Sequence, residues 1–277
     1  MSVPDDRVIL LDVDNTLLDN DRVQDDLRRY LASKVGPASR DRYWEIFEAL
    51  RQELGYADYL GALQRYRLGA LTDPCLLETS AFLIDYPFAE RLYPGALETI
   101  AHLRRWGPTV ILSDGDVVFQ PRKVQRSGLW SAVDGRVLIY IHKEQMLTDL
   151  ERRYPARHYF MVDDKLRILA AMKKILGDRL TTIFPRQGHY ALDPGNLASY
   201  PPADVTSSAS VIYGIFSYPN CKALRDPRRR MTEEAAYAAQ QDSCFTSLVK
   251  VWAQSFNPST MVRYGNNWPA RSTTVIP

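Results

Sequence analysis

The chain has little cysteine: Cys75, Cys221 and Cys244 are the only three in 277 residues. An odd number at such wide spacing fits neither a disulfide framework nor a zinc site built on C-x-x-C pairs, so a reducing compartment is expected. Net charge is scarce too. Lys plus Arg (35) nearly balances Asp plus Glu (33), and a formal charge of +2 supplies no global field to attract a polyanion, so nucleic acid is not expected as a partner. Long apolar runs are missing: no stretch approaches the roughly 18 consecutive apolar residues that a membrane-spanning helix needs. The opening MSVPDDRVILLDVD lacks the basic segment and apolar core of a secretion signal. The expectation is a cytoplasmic protein with no membrane partner.

What remains is ordinary globular material, with 45% hydrophobic residues, enough to bury a real core. Short continuous apolar runs stand at VILLDV (8–13), TVILS (109–113), VLIYI (137–141), HYFMV (158–162) and LTTIF (180–184). Runs of this length read as strands covered on both faces. Helical spacing lies between them: Leu97, Ile100, Leu103 and Trp106 precede the second run, and Leu166, Leu169, Met172 and Leu176 follow the fourth. Alternation of this kind predicts an α/β fold with a Rossmann-like, largely parallel sheet.

Residues 20–91 break the alternation. There Val23, Leu27, Leu31 and Val35 hold one helical face, and Trp44, Phe47, Leu50 and Leu54 another, which predicts an inserted α-helical segment. Pro94 and Gly95 restart the α/β pattern. The core is therefore expected over 1–19 and 92–200. From YPPADVTSSAS onwards the composition turns to Pro and Ser, with one helix expected near 231–256. Residues 201–277 are left as an extension without an assigned fold.

The polar residues fall at the strand ends. The first run ends in Asp12 and Asp14, the second in Ser113 and Asp114, the third in His142 and Lys143, the fourth in Asp163 and Asp164. In a parallel sheet the ligand crevice lies beyond the carboxyl ends of the strands, so these residues should meet. Carboxylates so crowded repel one another unless a cation sits among them, and a hard divalent ion suits oxygen ligands, so Mg²⁺ is the expected cofactor. A carboxylate beside a metal and a lysine can attack phosphorus while both offset charge on the transferring oxygens.

These residues resemble the haloacid dehalogenase superfamily. DVDNT (12–16) is similar to its first motif, ILSDG (111–115) to its second, HKEQ (142–145) to its third and MVDDK (161–165) to its fourth. The resemblance implies that Asp12 is the nucleophile that becomes an aspartyl-phosphate and that Asp14 is the acid/base. It implies that Thr16 supports the loop, and that Ser113, Asp114, Gly115 and Lys143 serve the phosphoryl group. Asp12, Asp163, Asp164 and the backbone carbonyl of Asp14 would form the Mg²⁺ site. Lys123, in QPRKVQRSGL, competes with Lys143 for the third motif; Lys143 is preferred because it follows a strand. Asp163 stands where the family's commonest fourth motif has glycine, leaving open which of Asp163 and Asp164 touches the metal.

Asp14 argues for phosphate chemistry, because a departing alkoxide needs a proton and a halide does not. The implied activity is hydrolysis of a small phosphorylated metabolite, with phosphotransfer to another hydroxyl, or a non-catalytic binding role, as alternatives. The insert resembles the superfamily's first class of cap, which would close over the site and select substrate. Asp19 and Asp21 are read as entry residues to that cap. Arg186 and His189 in FPRQGHYA, and Arg65, Tyr66 and Arg67 of the cap, are weighed as substrate contacts against an ordinary loop and a solvated face. Cys75 is expected as a small buried hydrophobe. RDPRRR (225–230) reads as a charged linker. PARSTTVIP, at the end of the chain, faintly resembles a stretch of the reactive-intermediate deaminase family.

Overall fold

The computed structural model describes residues 5–71 and 75–208. Its strands are β1 (Asp5–Leu11), β2 (Thr109–Asp114), β3 (Val137–Tyr140), β4 (Ala156–Val162), β5 (Leu180–Arg186) and β6 (Val205–Ser208). They form one six-stranded sheet in the order β3-β2-β1-β4-β5-β6, and every pairing is parallel. The chain steps outward from β1 to β3 and then crosses back to place β4 on the other side of β1. The crevice at that reversal is where an open parallel sheet holds its ligand.

Both faces of β1 are buried, as its unbroken apolar run requires. Val8 and Leu10 join one apolar cluster, with Met161 and Met172. Ile9 and Leu11 join the other, with Ile111, Val162 and the aromatic residues Phe47, Tyr59 and Phe119. The alternation is the period of two of a strand, applied to a sheet with cover on each side.

Between β1 and β2 the chain forms α1 (Asn20–Lys34), α2 (Pro37–Leu54), α3 (Tyr59–Arg67), α4 (Cys75–Asp85) and then α5 (Ala96–Leu103). Asp19 caps α1 by accepting from Arg22 N at 2.9 Å, and Gly55 ends α2 in the left-handed region. Tyr43, Phe47 and Tyr59 pack ring on ring, with Phe47 and Tyr59 centroids 4.7 Å apart. The remaining helices are α6 (Phe119–Arg126), α7 (Leu129–Ala132), α8 (Leu147–Arg153), α9 (Leu166–Leu176), α10 (Gly188–Leu192) and α11 (Pro194–Ser199). Phe119, opening α6, lies 5.0 Å from the Tyr59 ring and so joins the helical insert to the core.

Two sequence expectations change. β6 lies beyond residue 200, inside the stretch left unassigned; its DVTSS segment is polar, and among the described residues it ends the sheet. Asp204 fastens it, accepting from Thr182 N at 2.8 Å and from Lys173 Nζ at 2.9 Å. Cys75, the first residue of α4, is partly exposed. The helix expected near 231–256, RDPRRR and PARSTTVIP lie outside the described residues. Among the described residues no helix is long and apolar enough to cross a membrane.

Candidate active site

The backbone places the acids side by side. Asp12 N donates to Val162 O at 3.0 Å and Asp163 N to Ile183 O at 3.2 Å, so sheet pairing continues past the apolar runs and delivers carboxylates from adjacent strand ends. Asp12, Asp163 and Asp164 are all buried and offer oxygens within 4.8 Å of one another. Lys143, also buried, reaches into the group from the short 3-10 turn after β3. Its Nζ donates to Asp12 Oδ1 at 2.5 Å and to Leu112 O at 3.3 Å, and pairs with Asp163 Oδ2 at 2.7 Å.

Hydroxyls complete the frame. Ser113 Oγ donates to Asp12 Oδ1 at 3.4 Å, and Thr16 Oγ1 to Asp12 Oδ2 at 3.4 Å. Thr16 Oγ1 also accepts from Asp164 N at 3.2 Å, tying the loop after β1 to the loop after β4. Gln187 Nε2 reaches Thr16 O at 2.5 Å. Asp114 and Gly115, expected at the phosphoryl group, are engaged by the neighbouring strand end and its turn. Asp114 Oδ1 accepts from Lys143 N at 2.7 Å, which fixes the lysine turn. Gly115 N is spent on Tyr140 O at 2.9 Å.

The two lysines separate cleanly. Lys143 belongs to Asp12 and Asp163, whereas Lys123, wholly buried on α6, donates to Asp14 Oδ1 at 2.6 Å and Asn20 Oδ1 at 3.0 Å. Gln120, one turn earlier, donates to Asp14 Oδ2 at 3.3 Å and Ser113 Oγ at 3.0 Å. The Asp14 side chain is 24% exposed and stands outside the close group of three acids.

Burial dominates the titration of this group. It pushes the Asp163 carboxyl up to about 6 against the opposing pull of Lys143, and drives Asp164 well above the carboxylate range, with Asp163 and Asp12 adding repulsion. Burial alone would lower Lys143, but Asp12, Asp163 and Asp114 hold it above the ordinary lysine range. Both carboxylate oxygens of Asp164 are buried without a hydrogen-bond partner. Orphaned oxygens of that kind carry a full desolvation cost, and three close carboxylates are a hard-oxygen donor set. The residues present therefore fit Mg²⁺.

The family model described as hydrolase, haloacid dehalogenase-like hydrolase, matches residues 7–175. A crystal structure of a haloacid dehalogenase-like hydrolase from Burkholderia xenovorans LB400 is 66% identical, covers 78% of this chain and 99% of its own, and superposes with a TM-score of 0.74. This chain belongs to the haloacid dehalogenase-like hydrolases. No curated protein matches it. At the level of fold alone, the HAD-hydrolase YfnB from Bacillus subtilis, bound to magnesium, is 17% identical over 77% of this chain and 100% of that one, with a TM-score of 0.55. The L-2-haloacid dehalogenase from Xanthobacter autotrophicus, with chloropropionic acid covalently bound, is 17% identical over 79% and 98%, with a TM-score of 0.52.

Within this haloacid dehalogenase-like hydrolase, the other candidates lie at the margin. His189 Nδ1 meets Asp21 Oδ1 at 2.5 Å and His189 N donates to Asp21 Oδ2 at 2.8 Å, so Asp21 clamps α10 to the start of α1. Gly188 makes that approach possible: at φ +74 it lies so close to the Asn15 side chain that a Cβ would stand 2.5 Å from it. Arg186 ends β5 exposed. Arg65 forms a bidentate pair with Glu53 at 2.8 Å, Tyr66 is buried in the helical insert and Arg67 is exposed. Gln120, Asn20 and Gln187 escaped the sequence reading. Only Gln187 carried a signal, its place directly after a core strand.

Proposed function

We propose that this hydrolase is a Mg²⁺-dependent phosphatase that cleaves a small phosphomonoester through an aspartyl-phosphate. The observation that carries the reading is the chain of contacts from Asp12 through Ser113 and Gln120 to Asp14. It joins a nucleophile to a second carboxylate that a halide leaving group would not require. The orphaned oxygens of Asp164 supply independent support for a metal.

In this reading Asp12 attacks phosphorus, forming the aspartyl O–P bond as the bond to the leaving oxygen breaks. Asp14 gives that oxygen its proton. Asp14 then takes a proton from water as the water attacks phosphorus, releasing inorganic phosphate and restoring Asp12. Lys143 and Ser113 stay within reach of Asp12 throughout and offset charge on the phosphoryl oxygens. Asp12, Asp163 and Asp164 would hold the Mg²⁺, which when bound supplies charge neutralisation at the phosphoryl group. The helices α1 to α4 act as the cap that excludes bulk water and sets the choice of leaving group.

The test is a panel of phosphate esters assayed with and without Mg²⁺, run beside 2-chloropropionate. Phosphate release that requires Mg²⁺ and is abolished in a folded Asp12→Asn variant is the expected result. Chloride release with no phosphate from any ester would replace the reading with hydrolytic dehalogenation. Transfer to an added alcohol in preference to water would make the enzyme a phosphotransferase.

A further inference from the structure

Lys123 is a buried ammonium that the chemistry above does not use. It sits on α6, and its Nζ is divided between Asp14 Oδ1 at 2.6 Å and Asn20 Oδ1 at 3.0 Å. Gln120, three residues earlier on the same face of α6, takes the other Asp14 oxygen at 3.3 Å. Both carboxylate oxygens are thus held from one helix, which fixes the direction of a side chain that would otherwise swing into solvent. Asn20 opens α1, and its Nδ2 donates to Tyr59 OH at 3.2 Å. Tyr59 in turn is fixed by Tyr43, whose hydroxyl donates to Tyr59 O at 2.9 Å. The path Asp14–Lys123–Asn20–Tyr59 therefore runs from the core into the helical insert without a gap.

Burying an ammonium is costly, and a lysine with no exposed surface is retained only where its partners are well placed. The second acceptor, Asn20 Oδ1 on α1, satisfies another of the three ammonium donors, and it is the group through which Lys123 joins Asp14 to the helical insert. We infer that Lys123 is a positioning residue that aims the Asp14 carboxylate at the leaving-group oxygen and makes that aim depend on the seating of the cap helices. The inference rests on the phosphatase reading and extends it to a residue that acts through Asp14.

The test compares two esters of one phosphoryl group in the full chain. p-Nitrophenyl phosphate expels a stabilised phenolate that hardly needs a proton, whereas n-propyl phosphate expels an alkoxide that does. In Lys123→Met, kcat/KM for n-propyl phosphate should fall roughly tenfold more than for p-nitrophenyl phosphate, a fraction of the full value of a general acid. Asn20→Ala keeps the ammonium and removes one anchor, so it should move the ratio the same way by less. Because the ratio is independent of how much enzyme is active, partial misfolding does not disguise it. If Lys123→Met does not fold, Asn20→Ala decides. A ratio unchanged from wild type in variants that still cleave p-nitrophenyl phosphate overturns the inference and leaves the phosphatase intact. A wild-type enzyme inert towards both esters and every other phosphate ester overturns the phosphatase reading, and the inference with it.

Discussion

Replacing Asp164 by Asn should make the metal-free protein more stable and deaf to Mg²⁺. Asp164 has two buried carboxylate oxygens without a hydrogen-bond partner, and Asp12 and Asp163 lie within 4.8 Å. At that separation and an effective dielectric of about 20, one pair of unit charges repels by roughly 3–4 kcal/mol. Lys143 and Lys165 cancel part of this, and the carboxyl's raised proton affinity lets it shed charge. A net gain of about 1–2 kcal/mol for the amide is therefore expected, equivalent to roughly 2–8 °C in a domain of about 200 residues. The wild type should recover its deficit when metal binds, since a ligand at about 100 times its Kd adds roughly 2.7 kcal/mol. Calorimetry in EDTA and in excess Mg²⁺ separates the two contributions. A variant that melts below wild type in EDTA, or keeps the wild-type response to Mg²⁺, would refute the reasoning.

Lys143→Met leaves Asp12 and Asp163 without their buried cation, at 2.5 and 2.7 Å from the ammonium. A loss of about 3–5 kcal/mol in urea unfolding is expected, together with loss of turnover that Mg²⁺ does not restore. Asp204 predicts an acid-labile sheet edge. Partial burial would raise its carboxyl, but hydrogen bonds from Thr182 and Lys173 outweigh that and hold it below its ordinary 3.8. A depressed carboxyl stabilises the fold above its unfolded pKa, and the contribution is lost as pH falls through the depressed folded value. Acid unfolding followed by hydrogen exchange at β6 should show the edge opening first, and Asp204→Asn should flatten that limb. Its half-exposed ion pair with Lys173 adds less than about 1 kcal/mol after screening, so unchanged exchange at β6 in the variant would count against the assignment.

Much of the fold was legible because its signals are local. Unbroken apolar runs announce strands covered on both faces, and Leu97, Ile100 and Leu103 announce a helix by spacing alone. β6 escaped because its polar DVTSS segment has no apolar run to display; its evidence is the Asp204 contact with Thr182 of β5, distant in sequence. The site divides in the same way. Asp12, Ser113, Lys143, Asp163 and Asp164 stand at or just past the carboxyl ends of strands, and in a parallel sheet that position dictates convergence. Gln120 and Lys123 sit inside a helix, where a polar residue ordinarily marks a solvated face.

The sequence by itself determined that acids, a hydroxyl and a lysine would gather at one end of a parallel sheet, because the chain direction of every strand and the residues at its end are written locally. Which lysine meets which aspartate was decided only by tertiary structure. The turn that carries Lys143 is fixed by Asp114 from the neighbouring strand, and Lys123 reaches Asp14 from α6, which is seated against α4 of the insert. Those distances depend on how helices far apart in the chain are seated, and no spacing within a motif contains that information.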